Sequence, residues 1–196
     1  MLIIGDVHGK IDQYKQIIEK EKAKESVQLG DFGFKSAHDW FLENMDCAAH
    51  KVLFGNHDYY PYLFKEHSRC NICAFDNRLS IFYVRGAYSM DWKFRAMGLD
   101  LFSEEEISYN QFEPVLRMYE RWRPAIVVSH DCPQFLLQPF FAYSNCFITK
   151  TGQLLDALYN VHQPSTWIFG HHHRSKKMQI GKTLFRCLNE LEYTYI

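Results

Sequence analysis

Leu2-Ile3-Ile4-Gly5-Asp6-Val7-His8-Gly9 is the stretch that decides how this chain is read. An apolar run suited to a buried strand passes straight into a glycine turn, which carries a carboxylate and an imidazole at alternate positions. The pattern returns. Ser26-Val27-Gln28-Leu29 leads into Gly30-Asp31-Phe32-Gly33, and Lys51-Val52-Leu53-Phe54 into Gly55-Asn56-His57-Asp58. Ala125 to Val128 leads into Ser129-His130-Asp131, and Thr166-Trp167-Ile168-Phe169 into Gly170-His171-His172-His173. Between the first turns lie helical patterns. One runs from Ile11 to Lys24, with Ile11, Tyr14, Ile17 and Ile18 on one face. The other runs from Ala37 to Met45, opened by Ser36 with Asp39 as its capping partner. Strand, turn and helix in repetition predict α/β units with a mostly parallel sheet. In such sheets ligands bind beyond the carboxyl ends of the strands, where these turns would converge.

The remainder reads less regularly. Ile72 to Phe75 and Leu79 to Val84 are predicted strands. Ser103 and Glu106 form a capping box for a helix running on through Arg117-Met118-Tyr119-Glu120. Leu154 to Val161 is helical. The tail alternates at Lys177 to Ile180, Thr183 to Arg186 and Tyr193 to Tyr195, which predicts two or three antiparallel strands with Gly181-Lys182 as a turn. No linker or repeat interrupts the chain, so residues 1–196 are read as a single domain.

With 196 residues, 47% of them hydrophobic and 16% aromatic, the chain can bury a sizeable core. A net charge of -1 provides no general attraction for nucleic acid or an anionic membrane. No apolar run approaches the roughly 20 residues that span a bilayer. Met1 leads directly into the first strand without a signal-peptide pattern, and the expectation is a cytoplasmic protein. The 6 cysteines form neither a zinc pattern nor a disulfide framework; Cys70 and Cys73 read as residues of a buried strand.

The chemistry resides in Asp6, His8, Asp31, Asn56, His130, His171 and His173. This set is too large for one tetrahedral zinc and contains no sulfur. It suits Mn²⁺ first, and also Fe, Co²⁺, Ni²⁺ or Zn²⁺. Two divalent metal ions roughly 3.5–4 Å apart, bridged by one carboxylate, would use it all. Such a pair lowers the pKa of a bound water and neutralises phosphate oxygens, which points to attack on phosphorus. The i, i+2 spacing of His171 and His173 leaves His172 pointing away. His57 is the candidate catalytic residue, as a proton donor or a phosphoryl ligand. Asp58 and Asp131 either orient a neighbouring histidine or cap a helix. His38, His50, His67 and His162 read as ordinary surface or helix residues.

These motifs resemble the calcineurin-like metallophosphoesterase superfamily, whose pattern is Asp-x-His, Gly-Asp, Gly-Asn-His-(Asp/Glu), a lone His, and Gly-His-x-His. The match runs in order from Asp6 to His173. It implies a two-sheet, four-layer αββα sandwich with a dinuclear centre at one edge. By similarity, Asp6, His8, Asp31 and His173 would hold one ion. Asp31, Asn56, His130 and His171 would hold the other, with Asp31 bridging and His57 near the leaving group. The Ser/Thr phosphoprotein phosphatase branch carries an Asp and an Arg where this chain has Phe34 and Lys35. The partner of His57 is then open among Asp58, Asp76 and Asp91. Substrate-binding candidates are Asn56, Lys35, Arg85 and Arg174, with Arg95 a further candidate cation. Tyr88, Trp92, Phe94 and Arg95 suggest stacking on a base, or simply core closure.

The expectation is a metal-dependent phosphoric ester hydrolase acting on a phosphomonoester, a small phosphodiester or a nucleotide. Its alternatives are a phosphoprotein phosphatase and a non-catalytic interaction module on the same fold. The sequence leaves the oligomeric state open.

Overall fold

The central strands are largely apolar, and both their faces find a partner. In the computed structural model, which describes residues 1–65, 67, 73–143 and 147–196, the strands form two sheets. The smaller has the order β10-β1-β2-β3, with β1 (Leu2–Ile4), β2 (Ser26–Gln28) and β3 (His50–Val52) parallel and β10 (Tyr193–Tyr195) antiparallel to β1. The larger runs β4-β5-β6-β7-β9-β8. Its centre, β5 (Ile81–Val84), β6 (Ile126–Ser129), β7 (Thr166–Phe169) and β9 (Thr183–Cys187), is parallel. The edges β4 (Cys73–Asp76) and β8 (Lys176–Ile180) are antiparallel.

Side chains alternate across a strand, so one run feeds two cores. Ile3, Val27, Tyr83, Val128 and Ile168 meet between the sheets. Leu2, Ile4, Val52 and Phe54 face the opposite way, against Tyr14 of α1 (Ile11–Glu21) and Phe41 of α2 (Lys35–Asn44). Phe82, Val127, Trp167 and Phe185 pack against Tyr119 of α3 (Phe112–Trp122) and Leu154, Leu155 and Leu158 of α5 (Lys150–Val161). The short α4 (Leu137–Phe141) adds Phe140 to the same core. The molecule is the expected αββα sandwich.

Several local expectations change. α1 stops at Glu21 because Lys22 turns left-handed at φ 49°. Asp39 does not cap α2; its carboxylate takes Lys35 Nζ at 2.6 Å and Tyr62 Oη at 2.8 Å. No α-helix starts at Ser103; α3, which holds Arg117 to Glu120, begins at Phe112. Ser103–Glu105 is a single 3₁₀ turn in which Glu105, not Glu106, binds back to the Phe102 amide at 2.8 Å. Glu106 instead accepts the amides of Lys150 and Thr151 at the start of α5. The tail does not form one meander. β8 and β9 make the hairpin at Gly181, whereas β10 crosses to the other sheet and pairs with β1. Ile72 and Cys70 lie outside the described residues, and Cys73 sits half-buried on β4.

Candidate metal centre

The carboxyl ends of both sheets open on one edge. Asp6 and His8 follow β1, Asp31 follows β2, and Asn56 and His57 follow β3. From the other sheet, His130 follows β6, and His171 and His173 follow β7. Turning these side chains inward costs backbone energy. His8, Asp31, His171 and His173 have φ of 49°, 54°, 62° and 49°, the left-handed region that non-glycine residues avoid. Such residues cost on the order of 1–3 kcal/mol each and persist where the surroundings over-determine them. A Cβ on Gly55 would collide with Asp31 and His130, and one on Gly170 with Asp6.

Two groups of donors form, each close enough to hold a metal ion. Asp6, His8, Asp31 and His173 make the first, and Asp31, His130 and His171 the second. In the first, His8 Nε2 lies 2.9 Å from His173 Nε2, which is 3.1 Å from Asp6 Oδ2. In the second, His130 Nε2 is 3.3 Å from Asp31 Oδ1 and 3.2 Å from Asn56 Oδ1. Asp31 belongs to both. Its Oδ1 accepts the His57 amide at 2.7 Å, whereas Oδ2 is buried without a hydrogen-bond partner, 3.8 Å from His8 Nε2. A buried carboxylate oxygen left unpaired costs more than the ~1–3 kcal/mol of a neutral group. A cation between the imidazoles and this oxygen removes that cost, so the donor set fits a metal. Burial pushes the Asp31 carboxyl up, yet the neighbouring imidazoles of His130, His57 and His8 outweigh it and hold it well below the carboxylate range.

The supporting contacts are as specific as the donors. His130 Nδ1 faces the Leu29 carbonyl at 2.9 Å, so that nitrogen carries the proton and Nε2 keeps a lone pair for the centre. Asn56 donates its amide to Ser89 Oγ at 3.1 Å, which aims Oδ1 at His130. Ser89 in turn donates to Glu105 at 2.6 Å, and Arg95 joins Glu105 at 2.8 Å to the Asn56 carbonyl at 2.9 Å. Asp58 is fully buried and gathers the loops. Its carboxylate accepts the amides of Asp31, Phe32, Gly33 and Gly55, and contacts His38 Nε2 at 2.9 Å.

His57 stands beside the donors, its ring edge-on to His8 at 5.7 Å and to Phe34 at 6.3 Å. Among the aspartates considered for it, Asp91 lies 3.9 Å from its Nε2, Asp58 serves the loops, and Asp76 binds the amides of Arg78 and Leu79. Burial pulls the His57 imidazole below its usual value.

The candidate cations sit elsewhere. Lys35 is tied to Asp39, Arg85 is buried against Tyr60 Oη and the Glu104 carbonyl, and Arg174 is exposed. Arg95 is locked to Glu105, and Phe94 and Trp92 are 91% and 46% exposed, so these two aromatics do not close the core. His38, His50 and His67 are buried rather than superficial, and His162 is half-buried against the Pro124 carbonyl. Asp58 orients a histidine, as one of its two readings allowed, though that histidine is the distant His38. Ser89 and Glu105 carry no signal as supports in the sequence, because each is joined to the centre only by tertiary contact.

Comparison with known proteins gives the family and the fold. Residues 1–175 match the model of the calcineurin-like phosphoesterases. The chain belongs to that family. No curated protein matches it significantly. Among solved structures, TT1561 of Thermus thermophilus shares 12% identity at a TM-score of 0.60, over 97% of this chain and 89% of that one. A phosphopantetheinyl hydrolase from Mycobacterium tuberculosis shares 14% identity at a TM-score of 0.55, over 96% and 89%. At such identities the likeness is one of fold. Among the described residues, no helix of this phosphoesterase is long and apolar enough to cross a membrane.

Proposed function

We propose that this phosphoesterase hydrolyses a phosphomonoester or small phosphodiester at a dinuclear metal centre. Asp31, which belongs to both donor groups, would serve two divalent ions, Mn²⁺ being the first candidate. The observation that carries the reading is the shared position of Asp31, whose buried Oδ2 has no hydrogen-bond partner. Asp6, His8 and His173 would hold one ion with Asp31, and Asn56, His130 and His171 the other. When bound, the ions supply an activated water and neutralise the phosphoryl oxygens.

The chain's own groups do the rest. His57 delivers a proton to the leaving oxygen or holds the phosphoryl group, with Asp91 at 3.9 Å balancing its charge. The remainder of the substrate enters a cavity of about 600 Å³ beside His171, walled by Tyr88, Met90, Leu137, Tyr143 and Phe147. Asp131 lines it too, and among the described lining residues there is no lysine or arginine. Such a wall favours an uncharged, partly apolar leaving group over one with further phosphates. The test is hydrolysis of p-nitrophenyl phosphate and bis-p-nitrophenyl phosphate with added Mn²⁺. Activity should vanish on chelation and return with metal; full turnover by stripped protein overturns the reading.

A further inference from the structure

The centre leaves one donor set unused. His172 points away from His171 and His173, and its Nε2 lies 3.1 Å from Asp131 Oδ1 and 3.3 Å from Cys132 Sγ. The donor atoms of the three residues lie within 4.8 Å of one another. Asp131 and Cys132 are buried, and the side chain of His172 is 9% exposed. Asp131 is fixed by the backbone of Cys132, and His172 by a ring from outside the three. The Cys132 amide donates to Asp131 Oδ1 at 2.7 Å, and the Phe141 ring lies against His172 at 4.3 Å.

Two chemistries are open to a cysteine, a histidine and an aspartate together. A nucleophilic triad needs the thiol on one imidazole nitrogen and the carboxylate on the other, so that the acid holds the ring while the base takes the proton. Here sulfur and carboxylate both face Nε2, and the triad is excluded. Oxygen, nitrogen and sulfur converging on one point is instead the geometry of a chelate. With zinc bonds near 2.0–2.3 Å at tetrahedral angles, N–O and N–S separations come to roughly 3.3–3.6 Å. The observed 3.1 and 3.3 Å require only small outward movements.

We infer that Asp131, Cys132 and His172 form a third metal site, distinct from the dinuclear centre and selective for Zn²⁺ or a similarly borderline cation. Sulfur is the discriminating feature, because the dinuclear donors are all oxygen and nitrogen. Thiolate and carboxylate together cancel the ion's charge, which matters in a buried place. All three residues line the cavity beside His171. A fourth position is therefore open, as in zinc sites that keep water or substrate as a ligand. An ion there would contact the leaving part of a substrate rather than its phosphoryl group. The site stands whether or not the protein hydrolyses phosphoesters.

The test is substitution with Co²⁺ followed by absorption spectroscopy and metal counting. Wild type should show a near-ultraviolet thiolate-to-cobalt charge-transfer band and three ions per chain. Cys132→Ser should lose the band and one ion, with its melting transition and the visible bands of the other ions retained. His172→Gln, which keeps the sulfur, should weaken formation of the band by more than the roughly 10–100-fold that a lost outer-shell partner costs. Absence of the band in wild type, or its survival in Cys132→Ser, overturns the proposal. The wild-type spectrum decides alone should that variant fail to fold.

Discussion

On one side of Asp31, His130 and Asn56 are withdrawn from solvent; on the other, the side chains of His8 and His173 are 24% and 42% exposed. The buried half is aimed by interior hydrogen bonds: Leu29 to His130, and Glu105 through Ser89 to Asn56. The open half relies on surface charge. Glu190 lies 3.5 Å from His173 Nδ1 and also pairs with Lys10. Interior contacts are little screened, whereas exposed pairs contribute about 0–1 kcal/mol and weaken with salt. The two ions proposed for the centre should therefore differ in how firmly they are held, with Asp31 the element common to both donor groups.

Asp31→Asn is the largest expected effect, because it removes charge from both halves: kcat falls at least roughly 10²-fold and neither ion is retained on desalting. An Asp31→Asn protein that keeps one ion at wild-type affinity would show the halves to be independent. Next comes Asp58→Ala, which strands the amides of Asp31, Phe32, Gly33 and Gly55. Losing this buried acceptor should cost about 3–5 kcal/mol in urea unfolding, since each orphaned amide carries a desolvation penalty.

Glu105→Gln and Glu190→Gln sharpen the contrast directly. The first disturbs the aim of Asn56 and should weaken one ion by roughly 10–100-fold. The second should weaken the other less than about tenfold, with the difference vanishing in high salt. Competition with a graded chelator measures both, and equal losses would dissolve the distinction. The smallest effect concerns His67, whose Nε2 meets His38 Nδ1 at 2.6 Å behind Asp58. Burial lowers its pKa to about 3. A depressed histidine contributes stability above the unfolded value near 6.5, and that contribution is lost as pH falls from there toward about 3. Urea midpoints should drop more steeply between pH 7 and 5 in wild type than in His67→Gln.

The legibility of the chain follows the same division. Strand, glycine turn and helix recur within short windows, so the α/β units and the convergence of Asp6, Asp31, His130 and His171 could be read locally, whereas the two-sheet layering followed from the family resemblance. The segment from Gly86 to Gln111 could not. Its residues serve distant partners: Glu105 supports Asn56, Glu106 caps α5, and Arg95 is spent on Glu105 instead of a substrate. His38 lies on a helix as expected, but its burial with His67 is not legible, since nothing beside them in sequence announces a buried carboxylate. The reading of Ser103 with Glu106 as a helix start failed because the capping pattern was real but its acids act one turn and one helix away.

What the sequence determined by itself is the alternation of apolar strands with turns rich in glycine, aspartate and histidine, because strand period and turn chemistry are local properties of neighbouring residues. Only the tertiary structure decided which nitrogen of His130 faces the centre, that Asp31 keeps an unpaired oxygen between two donor groups, and that Asp131, Cys132 and His172 meet. Those outcomes depend on hydrogen bonds between residues far apart in the chain, which exist only once both sheets have packed face to face.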